Sequence, residues 1–151
     1  MRLLPTVLLS LALVLPSAVS AQSTAAERGV YLTVFRSPAT GVELRAGHVA
    51  GYAGFYPTVI SRNGTRGNVN FVRAGGTYYL KAQGAGPYVS PSLLVSLDRD
   101  WKSGVLTEVG YRGRLYGRVN GRLGAAVLTT FDRQTRVNPT VGLDVKLGAA
   151  R

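Results

Sequence analysis

The chain has 151 residues, a formal net charge of +11, 46% apolar and 17% charged residues, and no cysteine. That length suits one domain, the composition excludes a disordered or collagen-like polymer, and the missing thiols exclude disulfide bracing and cysteine chemistry. With 19 glycines and 8 tyrosines, the chain favours short strands and turns over helices.

Residues 1–21 read as a cleavable secretory signal: a charged Met1-Arg2, an apolar stretch from Leu3 to Leu15, then small residues from Pro16 to Ala21. Val19 and Ala21 occupy the minus-three and minus-one positions, leaving 22–151 as one β-barrel domain. The apolar stretch is short for a membrane span, and no cysteine follows it to carry a lipid. Export changes the meaning of the positive charge. It removes nucleic acid as a partner and leaves lipid phosphates, surface polysaccharide or other proteins.

Beyond Ala21 the apolar residues alternate with period two, most cleanly at Val105, Thr107, Val109 and Tyr111 and again at Val141, Leu143, Val145 and Leu147. Turn signals separate such runs and predict eight strands: 28–36, 41–49, 52–61, 67–82, 87–97, 103–119, 122–131 and 136–148. Asn120-Gly121 is the expected turn between the sixth and seventh strands, with Arg112-Gly113-Arg114 as the alternative. In the fourth strand Val69 and Phe71 share one parity and Val72, Tyr78 and Leu80 the other, which predicts a bulge near Phe71-Val72.

Eight antiparallel strands must close or stack, because an open sheet leaves two aggregation-prone edges. The expected fold is all-β, an antiparallel up-and-down barrel. Strands of about 10 residues rising roughly 3.3 Å each and tilted near 45° span about 24 Å, close to the apolar band of an outer-membrane barrel. The polar faces carry Glu43, Arg45, Arg73, Glu108, Arg112, Arg118, Arg122, Asp144 and Lys146, a mixture of both signs that suits a narrow, cross-linked lumen. Tyr52, Tyr88, Tyr111 and Phe131 fall near strand ends, where membrane-interface girdles sit.

The whole of this pattern resembles the small eight-stranded outer-membrane β-barrel proteins of diderm bacteria. It includes the signal, Tyr111-Arg112-Gly113-Arg114-Leu115, Arg122-Leu123-Gly124-Ala125-Ala126-Val127, and a last strand Val141-Gly142-Leu143-Asp144-Val145-Lys146-Leu147. Members of that family usually end in an aromatic residue read by the assembly machinery, whereas this chain ends Leu147-Gly148-Ala149-Ala150-Arg151. The resemblance implies an outer-membrane location and contact with membrane lipid.

Signals for chemistry are sparse, and no catalytic residue, cofactor or metal ligand set is expected. His48 is the only histidine, which excludes sites needing two imidazoles. Barrel-borne lipid deacylases place a serine two positions after their histidine, and here that position is Ala50. Glu43, Glu108 and Asp144 offer paired carboxylates for glycoside hydrolysis, but arginine or lysine alternates with each of them and favours ion pairing. Asn63-Gly64-Thr65 has the form of a glycosylation sequon and reads more simply as a turn.

The loops opposite the termini contribute Arg36, Arg62, Arg66, Arg99, Lys102, Arg133 and Arg136 against Asp98, Asp100 and Asp132, a cationic rim suited to anionic headgroups or polysaccharide. Two functional readings follow. One is a non-enzymatic outer-membrane barrel with a structural, adhesive, lipid-binding or partner-binding role and no open pore. The other is a soluble exported barrel or sandwich, periplasmic or secreted, that binds a small apolar ligand. What separates them is whether the apolar face meets lipid or a core.

Overall fold

A computed structural model of the chain describes residues 26–36, 39–62 and 65–149. The signal segment 1–21 and the Asn63-Gly64 turn lie outside them. Eight strands follow in order: β1 (Arg28–Arg36), β2 (Ala39–Ala46), β3 (Val49–Arg62), β4 (Thr65–Tyr79), β5 (Gly86–Ser96), β6 (Gly104–Tyr116), β7 (Val119–Thr130) and β8 (Thr135–Gly148). Each pairs antiparallel with its sequence neighbours, and β1 pairs with β8, so the sheet closes into an up-and-down barrel of eight strands, as expected. Arg28 and Gly148 therefore open onto the same mouth, here called the terminal mouth.

Alternation dictates which side chains enter the barrel. In β6, Leu106, Glu108 and Arg112 are buried while Val105, Thr107, Val109 and Tyr111 are exposed. The β6–β7 turn differs from both expected sites. It lies at Gly117-Arg118, where Gly117 takes a left-handed φ of 51° at no Cβ cost, and Asn120 is instead buried within β7.

The predicted bulge at Phe71-Val72 is absent, because β3–β4 register runs unbroken from Val49↔Tyr78 to Arg62↔Thr65. Val69 and Phe71 point inward and Val72 and Tyr78 outward, so the apolar face of β4 is the inner one in its first half, where Asn68 and Asn70 stand outside, and the outer one in its second half. A real irregularity falls in β1, where β1–β2 register shifts between Thr33 and Arg36 and Phe35 takes a φ of 54°. The longest connection at the terminal mouth, 80–85, nearly matches 97–103 at the opposite one.

Inward glycines let the sheet curl. A Cβ at Gly124 would lie 2.2 Å from the Val109 carbonyl oxygen and 2.7 Å from the Gly110 Cα, with Gly110 directly opposite on β6. Next to that pair, the Tyr88 ring covers Gly110.

Candidate functional site

The interior has two tiers. Toward the mouth opposite the termini, Tyr56, Val69, Phe71, Leu94, Leu106 and Leu128 form an apolar cluster, with Trp101 packed against it. Nearer the terminal mouth the inward positions are ionic. Among the described residues, Arg36, Arg45, Arg73, Arg112 and Arg122 are each at most 3% exposed.

Glu108 on β6 accepts from Arg36 Nε at 2.9 Å, Arg73 Nη2 at 2.8 Å and the Tyr88 hydroxyl at 2.6 Å. Glu43 on β2 accepts from Arg122 Nη2 and the Tyr79 hydroxyl, both at 2.6 Å, and lies 3.4 Å from Arg36 Nη1. Asp144 on β8 takes Arg112 Nε at 2.8 Å and Arg122 Nε at 2.6 Å on one oxygen. Tyrosine rings cover the guanidiniums, with Arg45 Cζ 3.6 Å from the Tyr79 ring centroid and Arg36 Cζ 4.7 Å from that of Tyr52. Burying such charges is costly alone, and shared hydrogen bonds across several strands offset that cost.

Glu27, just before β1, extends this network to the terminal mouth. Its carboxylate meets Arg112 Nη1 at 2.9 Å, Arg45 Nη1 at 3.3 Å and Lys146 Nζ at 3.9 Å, and accepts from the Tyr31 hydroxyl. Its backbone bonds to Ala82 and Gly47 in two different connections. Burial opposes ionisation of Glu27, but the Tyr31 hydroxyl and the Arg112 and Arg45 guanidiniums outweigh it and hold the carboxyl below its usual range.

Seven of the nine charges expected inside are there: Glu43, Arg45, Arg73, Glu108, Arg112, Arg122 and Asp144. Arg118 is instead exposed in the β6–β7 turn, and the Lys146 side chain stands half-buried in the terminal mouth, 32% exposed. Arg36, expected on the rim, is inside the barrel, because the bulge at Phe35 reverses parity after Thr33 and turns the next side chain inward. Arg99, Lys102 and Arg133 are exposed on the opposite rim and Arg136 is half-exposed, while the side chains of Arg62 and Arg66 lie outside the described residues.

Glu27 carried no periodicity signal because it precedes the first strand. Tyr52 and Tyr88, expected in a girdle, face inward at 3% and 2% exposure, whereas Tyr111 and Phe131 face outward.

Every carboxylate considered for glycoside hydrolysis is engaged by arginine. His48 sits in the β2–β3 turn, where its ring stacks on Tyr78 and its Nδ1 lies 2.8 Å from the Tyr79 carbonyl oxygen. Among the described residues no group of three or more His, Cys, Asp or Glu is placed to hold a metal ion.

The outer wall is the inverse of the interior. Val42, Leu44, Leu93, Val109, Leu123, Val137 and Val141 are all between 42% and 68% exposed. Among the outward-facing strand residues whose side chains are described, Arg28 is the only charged one. No family model, curated protein or solved structure matches the chain.

Proposed function

We propose that the chain is a β-barrel of the bacterial outer membrane, with a non-enzymatic role as a structural, adhesive, lipid-binding or partner-binding element and a lumen closed to conduction. The observation that carries this reading is the inversion of polarity. A protein in water buries most of its large apolar side chains, yet here every one of the eight strands turns at least one of them to the outside, while buried arginines fill the half of the lumen nearer the terminal mouth. Lipid satisfies such a wall, and the closed backbone ladder leaves no strand edge unpaired within it.

Closure of the lumen rests on the side chains themselves. Arg36, Arg73 and Arg122 reach carboxylates on non-adjacent strands, and the apolar cluster fills the other half. The soluble alternative needs an apolar interior to hold its ligand, and the buried arginines disfavour it.

Fractionation of expressing cells tests the proposal, followed by gel mobility with and without boiling. Recovery in washed outer membrane with a heat-dependent mobility shift is the expected result. A soluble, monodisperse species in the periplasm or medium overturns it.

A further inference from the structure

The seven carboxylates of the chain are distributed unevenly. Glu43, Glu108 and Asp144 are buried, and Glu27 is 10% exposed within its ion-pair cluster. The other three, Asp98, Asp100 and Asp132, lie on connections at the mouth opposite the termini, interspersed with Arg99, Lys102 and Arg133. Among the described residues the terminal mouth therefore presents no exposed Asp or Glu side chain. It does present exposed Arg28, Lys81, Arg114 and Arg118. None of these side chains forms an ion pair among the described residues.

The exposed aromatics divide in the same way. Tyr78, Tyr111 and Tyr116, at 50%, 53% and 87% exposure, stand near the terminal mouth. Phe35, Phe55 and Phe131 stand toward the opposite one. Tyrosine differs from phenylalanine in carrying a hydroxyl, so its ring rests against acyl chains while its polar end reaches the headgroups. The β6–β7 hairpin adds reach, since Arg114, Leu115, Tyr116 and Arg118 are all exposed around its tip.

We infer that the terminal rim, through Arg28, Lys81, Arg114 and Arg118 above the tyrosine ring, recruits anionic phospholipid headgroups from the leaflet that surrounds it. This rests on the membrane reading above and adds a lipid preference and a side to it. Guanidinium and ammonium donors unopposed by carboxylates attract phosphodiester and phosphatidylglycerol-type headgroups, and their long stems lie along the apolar wall while the charges stay at the interface. At the opposite rim Asp98, Asp100 and Asp132 stand among the cations and offset part of their charge, whereas among the described residues no acidic side chain offsets the four exposed cations of the terminal rim. The site is thus at the other end of the barrel from the cationic rim expected on sequence grounds.

The test reconstitutes the mature chain in phosphatidylcholine bilayers containing trace spin-labelled phosphatidylglycerol or phosphatidylcholine, and measures the motionally restricted fraction of each. The wild type is expected to prefer phosphatidylglycerol by roughly fivefold at low salt, the equivalent of one interfacial cation, and to lose that preference at 1 M salt, where screening is nearly complete. Combining Arg28→Gln, Lys81→Gln, Arg114→Gln and Arg118→Gln abolishes the preference with the heat-dependent mobility shift intact. Combining Arg99→Gln, Lys102→Gln and Arg133→Gln leaves it unchanged.

Insertion without a salt-sensitive preference, or loss of the preference only in the second variant, overturns the inference and leaves the membrane reading standing. Phosphatidylglycerol indifference together with binding of soluble polyphosphate also overturns it and assigns the rim to a soluble polyanion. A chain that washes off the vesicles at alkaline pH overturns both.

Discussion

Arg122 on β7 donates to Glu43 on β2 at 2.6 Å, joining two strands that are not neighbours in the sheet. The pair crosses the lumen and is shared on both sides, since Arg122 also holds Asp144 and Glu43 also receives Tyr79. Removing one partner leaves the others charged, buried and uncompensated.

Glu43→Leu is accordingly expected to destabilise the barrel by about 3–5 kcal/mol, and Arg122→Met by a similar amount. The double variant Glu43→Leu with Arg122→Met should cost less than the two single changes added together, because neither charge is then left alone. Urea midpoints of the four proteins refolded in detergent measure the coupling. Strict additivity would contradict a direct pair.

Glu27 makes stability depend on acid in a definite direction. Its carboxyl is held below the ordinary value of 4.5, so its contribution is complete above that value and is lost as pH falls through the lower folded value. The stability difference between wild type and Glu27→Gln should be constant near neutral pH and shrink below about pH 4.5. A difference that grows on acidification would mean the carboxyl is raised instead.

The glycine pair at Gly110 and Gly124 offers a steric prediction. Gly124→Ala puts a methyl group 2.2 Å from a backbone oxygen that belongs to the neighbouring strand, and a cost of about 1–3 kcal/mol is expected. Gly51→Ala meets nothing within 4 Å and should be neutral or stabilising by about 0.4–1 kcal/mol. Thermal loss of the compact gel species ranks the two variants.

Val141, 61% exposed in the middle of β8, distinguishes lipid from water as the solvent of the outer wall. Val141→Lys should cost about 2–4 kcal/mol in a bilayer near its midplane and almost nothing if that face is wet. Folding yields into vesicles, compared with Val141→Thr, provide the readout.

Much of this architecture was legible because alternation is a strict rule inside a strand. The parity of Val105, Val109 and Tyr111 places Glu108 and Arg112 on the inner face, and the same logic finds Glu43, Arg73, Arg122 and Asp144. Alternation fails where the strand itself is irregular or ends. One extra residue at Phe35 carries Arg36 from the rim to the centre, and Glu27 belongs to no strand at all.

The apparent bulge at Phe71-Val72 had a different source. Along β4 the apolar residues pass from the inner face, at Val69 and Phe71 in the apolar tier, to the outer face at Val72 and Tyr78 with the register unbroken, so a change of hydrophobic parity does not mark a change of register. At the β6–β7 turn Asn120-Gly121 matched a strong hairpin signal, yet the chain reverses at Gly117-Arg118 and Asn120 goes inward.

The ionic network also constrains how the barrel comes into being. Arg36 belongs to the first strand and its partner Glu108 to the sixth; Glu43 belongs to the second and its partner Arg122 to the seventh. A curled sheet of five strands would leave Glu43 ion-paired with Arg36 alone and Arg73 without Glu108, and would offer that unneutralised guanidinium to any lipid that entered its open side. Neutralisation and closure are then one event, in which the last strands must arrive before the first are electrically comfortable in a bilayer. Partly inserted forms are disfavoured by the same arginines that stabilise the finished barrel.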